Sequence, residues 1–500
     1  MQQILLHIRQ NLIFCCITSG FPLFFRISLR RTECVCPQMK YHLISIVTHV
    51  KLWDRNGTEI SMRNPKDINK QIYQLALPNI ISNFSIPLLG AVDTALMGRL
   101  ESEYYLGAVG IGGIIFSFIY WGFGFLRMAT TGLTAQAFGE KDLRECGRLL
   151  LRAICIGITS SLLLLIFQWQ LIDLSFLLID ASPDVEHLAR IYFHIRIYAA
   201  PATLCLHAFH GVFLGLQNAR YPMLLTIMVN LVNVILNLVF VWLLGMKVVG
   251  IALATVIAQY VGLVVAVLLF SRYYRGILPA WDFWEILSFS KLKRFLNISA
   301  DIFIRTCCLV FSHAVFTAKS AALSDTLLAI NTILLQFINL LSYAIDGLAF
   351  AAESLIGKYK GAQDLQNLKR TTRQIFLWAF LFGGVLMLIF VLFGKHLLHL
   401  FTNQMTLIEQ AKPYLIWIII APVINVAAYI WDGIFLGATA SKALRNSVIV
   451  STLIFLSAVY LLIPFGNHGL WGAYTLLLIA RGVSLTVLAP KYLFKCEFDN

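Results

Sequence analysis

Charged residues are scarce in this sequence, and stretches long enough to form a soluble domain are almost absent. Only 13% of the 500 residues are charged and 59% are hydrophobic, with a mean hydropathy of +0.78, whereas a soluble domain carries about 25% charged residues. This balance predicts a polytopic membrane protein, so the length of the chain does not give a domain count.

Motifs of ATP hydrolysis and of common hydrolytic enzymes are also lacking. The sequence contains no GxxxxGK[ST] loop, no HExxH pair and no GxSxG in a strand–turn–helix context. No nucleophile is paired with a base in the apolar spans. The chain is therefore predicted not to be an enzyme. Its energy has to come from an ion gradient, which supplies about 2.3 kcal/mol per charge per 100 mV.

Patterns for metal or nucleic-acid binding are missing as well. Of the ten cysteines, the pair Cys34 and Cys36 lacks a second pair or histidines at zinc spacing, so we predict no metal site and no cofactor other than a coupling ion. The net charge of +14 comes from residues scattered over short loops. Because no aromatic and basic residues cluster as in a base-reading surface, we expect no nucleic-acid partner.

The first 61 residues differ in composition from the rest of the chain. Their apolar stretch is interrupted by His7 and Arg9 and has no clear small-residue cleavage site, which argues against a signal peptide. The basic segment from Met62 is typical of a lead into a first membrane helix. We therefore predict that residues 1–61 are an extension that transport does not require.

Twelve apolar runs follow, each long enough to cross a bilayer, which takes about 20 residues. Their approximate limits are 70–98, 106–138, 149–180, 187–216, 222–245, 249–271, 295–319, 327–356, 372–400, 407–437, 445–465 and 469–493. The sequence thus predicts an all-α integral membrane protein with the lipid bilayer as a partner.

The second half of the chain repeats the first. "HGVFLGLQNAR" at 210–220 corresponds to "DGIFLGATASK" at 432–442, and "GEKDL" at 139–143 corresponds to "GAQDL" at 361–365. Tandem halves with the substrate path between them are common in transporters. We predict a first lobe at 62–271, a linker at 272–294 and a second lobe at 295–500.

Lysine and arginine are concentrated in the loops after even-numbered spans, for example Lys141, Arg148, Arg275, Lys360 and Lys442. Basic loops stay on the cytoplasmic side of a membrane. Both termini and the linker are therefore predicted to be cytoplasmic, in a multi-pass protein of the cell inner (plasma) membrane.

The first span carries one carboxylate, Asp93, together with Pro78 and Pro87. Ionisable groups inside a membrane are candidates for function, and a carboxylate facing a water-filled cavity is suited to load and release a proton or a metal cation. The prolines remove backbone donors and favour a hinge in this helix. Alternatively, Asp93 reaches the headgroups and pairs with Arg99, and the prolines are merely structural.

The fifth span places three amides on one face, because Asn230, Asn233 and Asn237 follow an i, i+3, i+7 spacing. They are positioned to hydrogen-bond Asp93, a cation or a substrate, or else to join helices. Gln259 and Tyr260 on the sixth span are weaker candidates of the same kind.

The second half has its own buried charges. Asp301 and Arg305 are four residues apart on the seventh span, a spacing that predicts a pair within the helix, and Asp346 and Glu353 share a face of the eighth. Asp432 lies on the tenth span. For most of these acids we favour pairing with the intramembrane arginines, which are Arg127, Arg196 and Arg481.

These segments together resemble the multidrug and toxic compound extrusion (MATE) family. The resemblance begins at "LPNIISNFSIPLLGAVDTALMGRL" and "FLRMATTGLTAQAFGEKD" and runs in order through about residues 68–490. "AINTILLQFINLLSYAIDGLAFAAESLIGKYKGAQD" and "GNHGLWGAYTLLLIARGVSL" are similar to its DinF (DNA-damage-inducible protein F) branch.

The resemblance implies two pseudo-symmetric six-helix lobes around a central cavity, the MATE/MOP fold. It implies export of bulky, often cationic, amphipathic drugs or toxic metabolites against inward H⁺ or Na⁺ flow. Asp93 matches the coupling acid of the family, and Asn230 and Asn233 match the asparagines around it. The sixth span lacks the second acid of some members, around Gln259 and Tyr260, which favours H⁺ over Na⁺. The glutamate that another branch carries on the seventh span is also missing, since that span offers only Asp301.

We therefore predict a secondary drug/H⁺ antiporter that works by alternating access, with a complete pathway in each monomer. Protonation would neutralise Asp93 and let the first helix bend. The alternative is a flippase for a lipid-linked precursor in the same superfamily, which ethidium accumulation in cells with and without the protein would distinguish.

Overall fold

The computed structural model describes residues 52–53, 59–60, 67–97, 103–277 and 288–494; the side chains of residues 86, 88, 91–97 and 103 are outside this description. The chain divides into two compact units, Met1–Lys66 and Asp67–Asn500. In the first unit, β1 (Leu52–Trp53) pairs with β2 (Glu59–Ile60) in an antiparallel ladder. The rest of the predicted extension and residues 278–287 of the predicted linker lie outside the described residues.

The described part of the second unit is built from helices. They are α1 (Ile68–Met97), α2 (Tyr104–Gly139), α3 (Leu143–Ile166), α4 (Pro183–Gly215), α5 (Arg220–Leu243), α6 (Lys247–Tyr273), α7 (Phe289–Leu323), α8 (Asp325–Gly361), α9 (Leu365–Leu398), α10 (Met405–Gly437), α11 (Ser441–Leu462) and α12 (Gly466–Leu493). Each predicted span has its helix, so the all-α prediction is confirmed.

Helices α3 and α9 are among those that begin several residues earlier than the apolar runs predict. Asp142 accepts a hydrogen bond from the amide of Glu145 at 2.9 Å and starts α3, and Asp364 does the same for Asn367 at 3.0 Å at the start of α9. These carboxylates cap helices whose first turns are polar. Hydropathy registers only the apolar part of a helix, so the prediction missed these turns.

The third predicted span is not one continuous helix. α3 ends at Phe167, whose backbone leaves the helical region with φ −94° and ψ 16°, and a short helix follows at Gln168–Leu178. α2 has a similar break at Phe123, between Gly122 and Gly124. Neither break contains proline, so an apolar pattern alone did not predict it.

The two halves repeat each other with an offset of 222 residues. α2 and α8 end at Gly139 and Gly361, and α4 and α10 end at Gly215 and Gly437. The loops agree in backbone conformation too: the left-handed residues are Lys141 (φ 64°), Gln363 (φ 54°), Gln217 (φ 65°) and Thr439 (φ 51°), two pairs at the same offset. The tandem repeat is thus a repeat of structure.

α2 and α8 cross with their backbones in contact near these ends. A Cβ atom added at Gly361 would overlap the carbonyl oxygen of Gln136, and a Cβ atom added at Gly139 would overlap the carbonyl oxygen of Lys358. The loop between α2 and α3 and the loop between α8 and α9 lie on one side of the molecule, which we call the basic side. On this side, backbone atoms of the two halves are in direct contact.

Candidate functional site

The candidate coupling helix, α1, makes polar contacts with both halves of the chain. Asn83 Nδ2 donates to the carbonyl of Tyr343 on α8 at 3.0 Å, and Ser85 accepts from Asn230 of α5. Pro78 and Pro87 lie inside the helix, and each leaves one carbonyl a turn earlier without its usual donor. Asp93 is on α1, but its side chain and Arg99 are outside the described residues.

The asparagine face of α5 hydrogen-bonds other protein groups. Asn230 Nδ2 donates to the carbonyl oxygen and to Oγ of Ser85, at 3.2 and 3.0 Å. Asn237 Nδ2 donates to Asn233 Oδ1 at 2.9 Å, and Asn233 Nδ2 donates to Thr255 Oγ1 on α6 at 3.1 Å. These bonds join α5 to α1 and α6, as in the interhelical alternative.

The two candidate residues on α6 are Gln259 and Tyr260. Tyr260 donates its hydroxyl to the carbonyl of Tyr198 on α4 at 3.1 Å, and Gln259 is half-buried beside it. Tyr260 therefore joins α6 to α4.

A salt bridge crosses between the halves in the middle of the bundle. Arg127 Nη1 of α2 lies 3.2 Å from Glu353 Oε2 of α8, and Glu353 is fully buried. The guanidinium of Arg127 also stacks 4.2 Å from the ring centroid of Phe350, a favourable position for a cation. The predicted pairing of Glu353 with an intramembrane arginine is present.

Asp432 of α10 holds two arginines at once. Its Oδ2 accepts from Nη2 of Arg305 on α7 and from Nη2 of Arg481 on α12. Its Oδ1 and both arginine Nε atoms are buried and have no hydrogen-bond partner among the described residues. This cluster, which we call the Asp432 trio, joins three helices of the second half and carries one excess positive charge.

The predicted pair between Asp301 and Arg305 within α7 is wrong. Asp301 instead contacts Arg445 of α11, with 2.6 Å between Oδ1 and Nη1, and accepts from Ser441 Oγ at 2.7 Å. The i, i+4 spacing is compatible with a pair on an isolated helix. In the packed bundle, α10 and α11 supply the opposite charges, and the two side chains turn away from each other.

Asp346 lies on α8, two turns before Glu353, and is half-buried. The charges that act on it come from the Asp432 trio and from Arg127. The structure thus brings Asp346, Glu353 and Asp432 into one charged region with three arginines, while Asp301 belongs to a separate site towards α11.

The sequence did not single out the polar contacts that close the basic side. Gln136 Nε2 of α2 donates to the carbonyl of Gly437 at 3.1 Å, and Gln217 Nε2 donates to the carbonyl of Ser354 at 2.9 Å. Gln71 Oε1 of α1 accepts from Lys358 Nζ at 3.3 Å. The repeated segments at 210–220 and 432–442 were the sequence signal available for these contacts. The turns that end them, around Gln217 and Thr439, lie at this surface.

Comparison with known proteins gives the following relatives. The MatE family model matches residues 78–239 and 302–465, one match in each half. DNA damage-inducible protein F of Escherichia coli (strain K12) is 36% identical over 430 residues, which are 85% of this chain and 92% of that protein. Multidrug and toxin extrusion protein 1 of Homo sapiens is 26% identical over 66% of this chain and 58% of its own length.

Solved structures share the fold. A multidrug resistance MATE family transporter of the MOP superfamily, in an outward-facing conformation, superimposes with a TM-score of 0.74 at 21% identity, covering 84% of this chain and 94% of that one. The Vibrio cholerae MATE transporter VcmN gives a TM-score of 0.77 at 18% identity, covering 86% and 98%. The architecture of twelve helices in two repeats is thus that of these proteins.

Proposed function

Since the chain belongs to the MatE family of membrane transporters, we propose that it is a multidrug efflux antiporter, which exchanges amphipathic or cationic compounds for protons by alternating access. Its relatives include proteins named for multidrug and toxin extrusion and for multidrug resistance. The membrane is proposed to be the cell inner membrane, with both termini cytoplasmic and one monomer as the functional unit.

The observation that carries this proposal is the position of α1 between the halves. Asn83 hydrogen-bonds to α8 and Ser85 to α5, and these two residues lie on roughly opposite faces of the turn that precedes Pro87. A change of charge at Asp93 therefore occurs on a helix that is hydrogen-bonded to both halves of the chain. Alternating access needs such a link, because the binding of an ion has to change the contacts between two rigid bodies.

Two buried carboxylates of the second half are poorly suited to bind a metal cation, which supports protons as the coupling ion. Glu353 and Asp432 are already neutralised by arginines, so they do not offer a cation the charge that it needs. A Na⁺ ion prefers several oxygen ligands, whereas a proton needs a single carboxylate. Asp93 on α1 is such a carboxylate.

The packed basic side supports an outward-facing state. Gly361 lies against the backbone of Gln136 there, and Gly139 lies against the backbone of Lys358. Gln136 and Gln217 each hydrogen-bond to the other half. If this side is cytoplasmic, as the distribution of lysine and arginine predicts, the exit for substrate lies on the opposite side of the membrane. The transport cycle would then require these contacts to separate before the next substrate enters.

Replacing Asp93 with asparagine is expected to leave the protein folded and inserted but to reduce dye efflux by a factor of about 5–150, the usual size of a lost coupling. Asparagine keeps the shape of the side chain but cannot exchange a proton. The measurement is ethidium efflux from vesicles under an imposed pH gradient, and then under an imposed Na⁺ gradient.

The matched control is Asp173→Asn, which makes the same chemical change in an exposed ion pair with Arg190 and should transport like the wild type. Normal efflux by the Asp93→Asn variant would refute the role of Asp93. Efflux driven by Na⁺ and indifferent to the pH gradient would refute proton coupling while leaving the antiporter itself in place.

A further inference from the structure

An apolar groove runs between α10 and α12 on the surface of the second half. Ile424 and Ala427 form its α10 side, and Val483 and Val487 lie on its α12 side. Among the described residues that line it, only Thr486 has a polar side chain. Val483 and Val487 are 57% and 72% exposed, so the groove is open to the surroundings of the protein.

The groove lies on the face of α12 that points away from the buried charges. Arg481 extends to Asp432 inside the second half, and a helix turns by about 100° per residue. Val483, two positions later, therefore lies on the opposite face of the helix. Since that face is apolar and exposed in a membrane protein, the groove belongs to the surface that meets lipid.

The repeat shows that a groove at this place is not required by the fold. The residue 222 positions before Gly482 is Tyr260, whose hydroxyl donates to the carbonyl of Tyr198 at 3.1 Å. A Cβ atom added at Gly482 would lie only 2.9 Å from the Cβ of Ala427. The first half thus places a tyrosine ring between α6 and α4, whereas small residues of α12 and α10 leave space in the second half.

Three basic side chains lie at the end of the groove that is nearest the basic side. Lys491 follows Val487 by one turn on the same face of α12. Nζ of Lys369 on α9 lies 5.7 Å from the ring centroid of Phe494, just after α12, and Arg373 is one turn further along α9. All three are exposed, and none forms an ion pair with a carboxylate in the described part of the chain. We call Lys369, Arg373 and Lys491 the basic rim.

Side-chain contacts place the relevant face of α9 beside the groove. The ring of Phe376 lies 4.9 Å from the ring of Trp431 on α10, measured between centroids. Trp431 Nε1 in turn donates to Oγ1 of Thr486 in the groove lining at 2.7 Å. Lys369 and Arg373 are seven and three residues before Phe376, a spacing that puts all three on one face of the helix.

The dimensions of the groove fit one acyl chain. From Leu478 to Val487 the lining extends about 14 Å along α12, close to half of the roughly 30 Å hydrocarbon core, and Lys491 lies about 6 Å beyond it. The groove volume of about 290 Å³ is at the lower limit for a drug-sized ligand. The basic rim also repels cationic compounds, and a second copy of the chain would bring the same charges to the same depth.

We propose that the groove binds an acyl chain of an anionic phospholipid, whose phosphate contacts the basic rim. Lysine and arginine at the membrane surface attract anionic headgroups, and they form charge-assisted hydrogen bonds with phosphate oxygens. This inference goes beyond the proposed function and does not depend on the coupling ion or on the transported compounds.

The test compares two lipids that have the same acyl chains, dioleoylphosphatidylglycerol, which is anionic, and dioleoylphosphatidylcholine, which is zwitterionic. Each is titrated into the purified full-length protein in detergent, and bound lipid is counted by native mass spectrometry. One variant, Val483→Trp, fills the groove from its exposed wall. The other removes the charges of the basic rim and is Lys369→Gln combined with Arg373→Gln and Lys491→Gln.

Each variant has a matched control in the first half. Val264→Trp adds the same ring to α6 at a valine that is also 57% exposed. The control for charge removes three exposed basic residues of the first half, by Arg144→Gln combined with Arg220→Gln and Arg272→Gln. Both controls should bind each lipid like the wild type.

We expect the wild type to bind one phosphatidylglycerol at least about tenfold more tightly than phosphatidylcholine, because each basic residue near an anionic headgroup contributes roughly fivefold. Loss of the basic rim should remove this preference and leave phosphatidylcholine binding within about twofold. Val483→Trp should abolish tight binding of phosphatidylglycerol.

Several results would overturn the proposal. These are equal affinity of the wild type for the two lipids, a Val483→Trp variant that binds lipid like Val264→Trp, and equal losses in the two charge variants. Displacement of phosphatidylglycerol by ethidium would assign the groove to transported compounds instead. A dimer that disappears from the mass spectrum in Val483→Trp would assign it to a second copy of the chain.

Discussion

Replacing Gly361 with valine is expected to stop export almost completely while the protein remains folded and inserted in the membrane. The Cα of Gly361 lies so close to the carbonyl oxygen of Gln136 that a Cβ atom there would overlap it, and the backbone amide of Ala362 and the carbonyl of Lys358 approach Gly139 in the same way. The obstacle is backbone on both sides, so no side chain can rotate away. The basic side would then be unable to close.

The size of the effect follows from the cost of overpacking. Forcing extra atoms into a packed contact costs about 1–3 kcal/mol, which shifts an equilibrium between closed and open states by roughly 5- to 150-fold. We therefore expect alanine at position 361 to reduce ethidium efflux and valine to reduce it further. A matched pair of substitutions at Gly139 should reproduce the series, because the repeat places both glycines in equivalent positions.

The control is Gly384→Val in α9, since nothing lies within 4 Å of the Cβ that this substitution adds. Its efflux should match the wild type. Labelling of a single cysteine at position 439, in a cysteine-free background, reports whether the basic side is open. Normal efflux by Gly361→Val, or a label that reacts equally in wild type and variant, would contradict the closed contact described here.

Replacing Asp432 with asparagine is expected to destabilise the second half by about 3–5 kcal/mol, the cost of removing one partner from a buried ion pair. Arg305 and Arg481 would be left facing each other on α7 and α12, with side chains that are 10% and 4% exposed. An uncharged amide cannot compensate two guanidinium groups, so the three helices should separate more easily.

Thermal unfolding in detergent measures this loss, and a triple variant provides the control. Asp432→Leu combined with Arg305→Met and Arg481→Met removes all three charges and should recover most of the stability, because an apolar cluster often replaces a buried ion pair without loss. If asparagine at 432 leaves the melting temperature unchanged, the Asp432 trio does not hold the helices together.

The sequence predicted the number and order of the helices because bilayer thickness fixes the length of an apolar run. It did not predict where α3 and α9 begin, since Asp142 and Asp364 act through backbone amides that hydropathy ignores. The predicted pairing of Asp301 with Arg305 was wrong for a related reason. Spacing along one helix describes neighbours on that helix, whereas α10 and α11 approach from elsewhere in the chain.

Parts of the candidate site also depended on the tertiary structure. The amides of α5 were identified from their spacing, but their partners, Ser85 and Thr255, lie on other helices. The sequence identified Arg196 only as an intramembrane arginine that was expected to pair with an acid. Arg196 instead donates to the hydroxyl of Tyr192. The ring of Tyr192 approaches α2 because Gly112, 80 positions earlier, has no side chain.

The bare backbone crossing of α2 and α8 has a consequence for the time course of transport. A contact between long side chains can lengthen gradually as the side chains change rotamer. Two backbones in direct contact cannot separate gradually in this way. Packed interfaces of this kind switch between discrete arrangements. A pair of fluorophores spanning the crossing should therefore report two well-separated distances with abrupt jumps between them, instead of a broad, continuous spread.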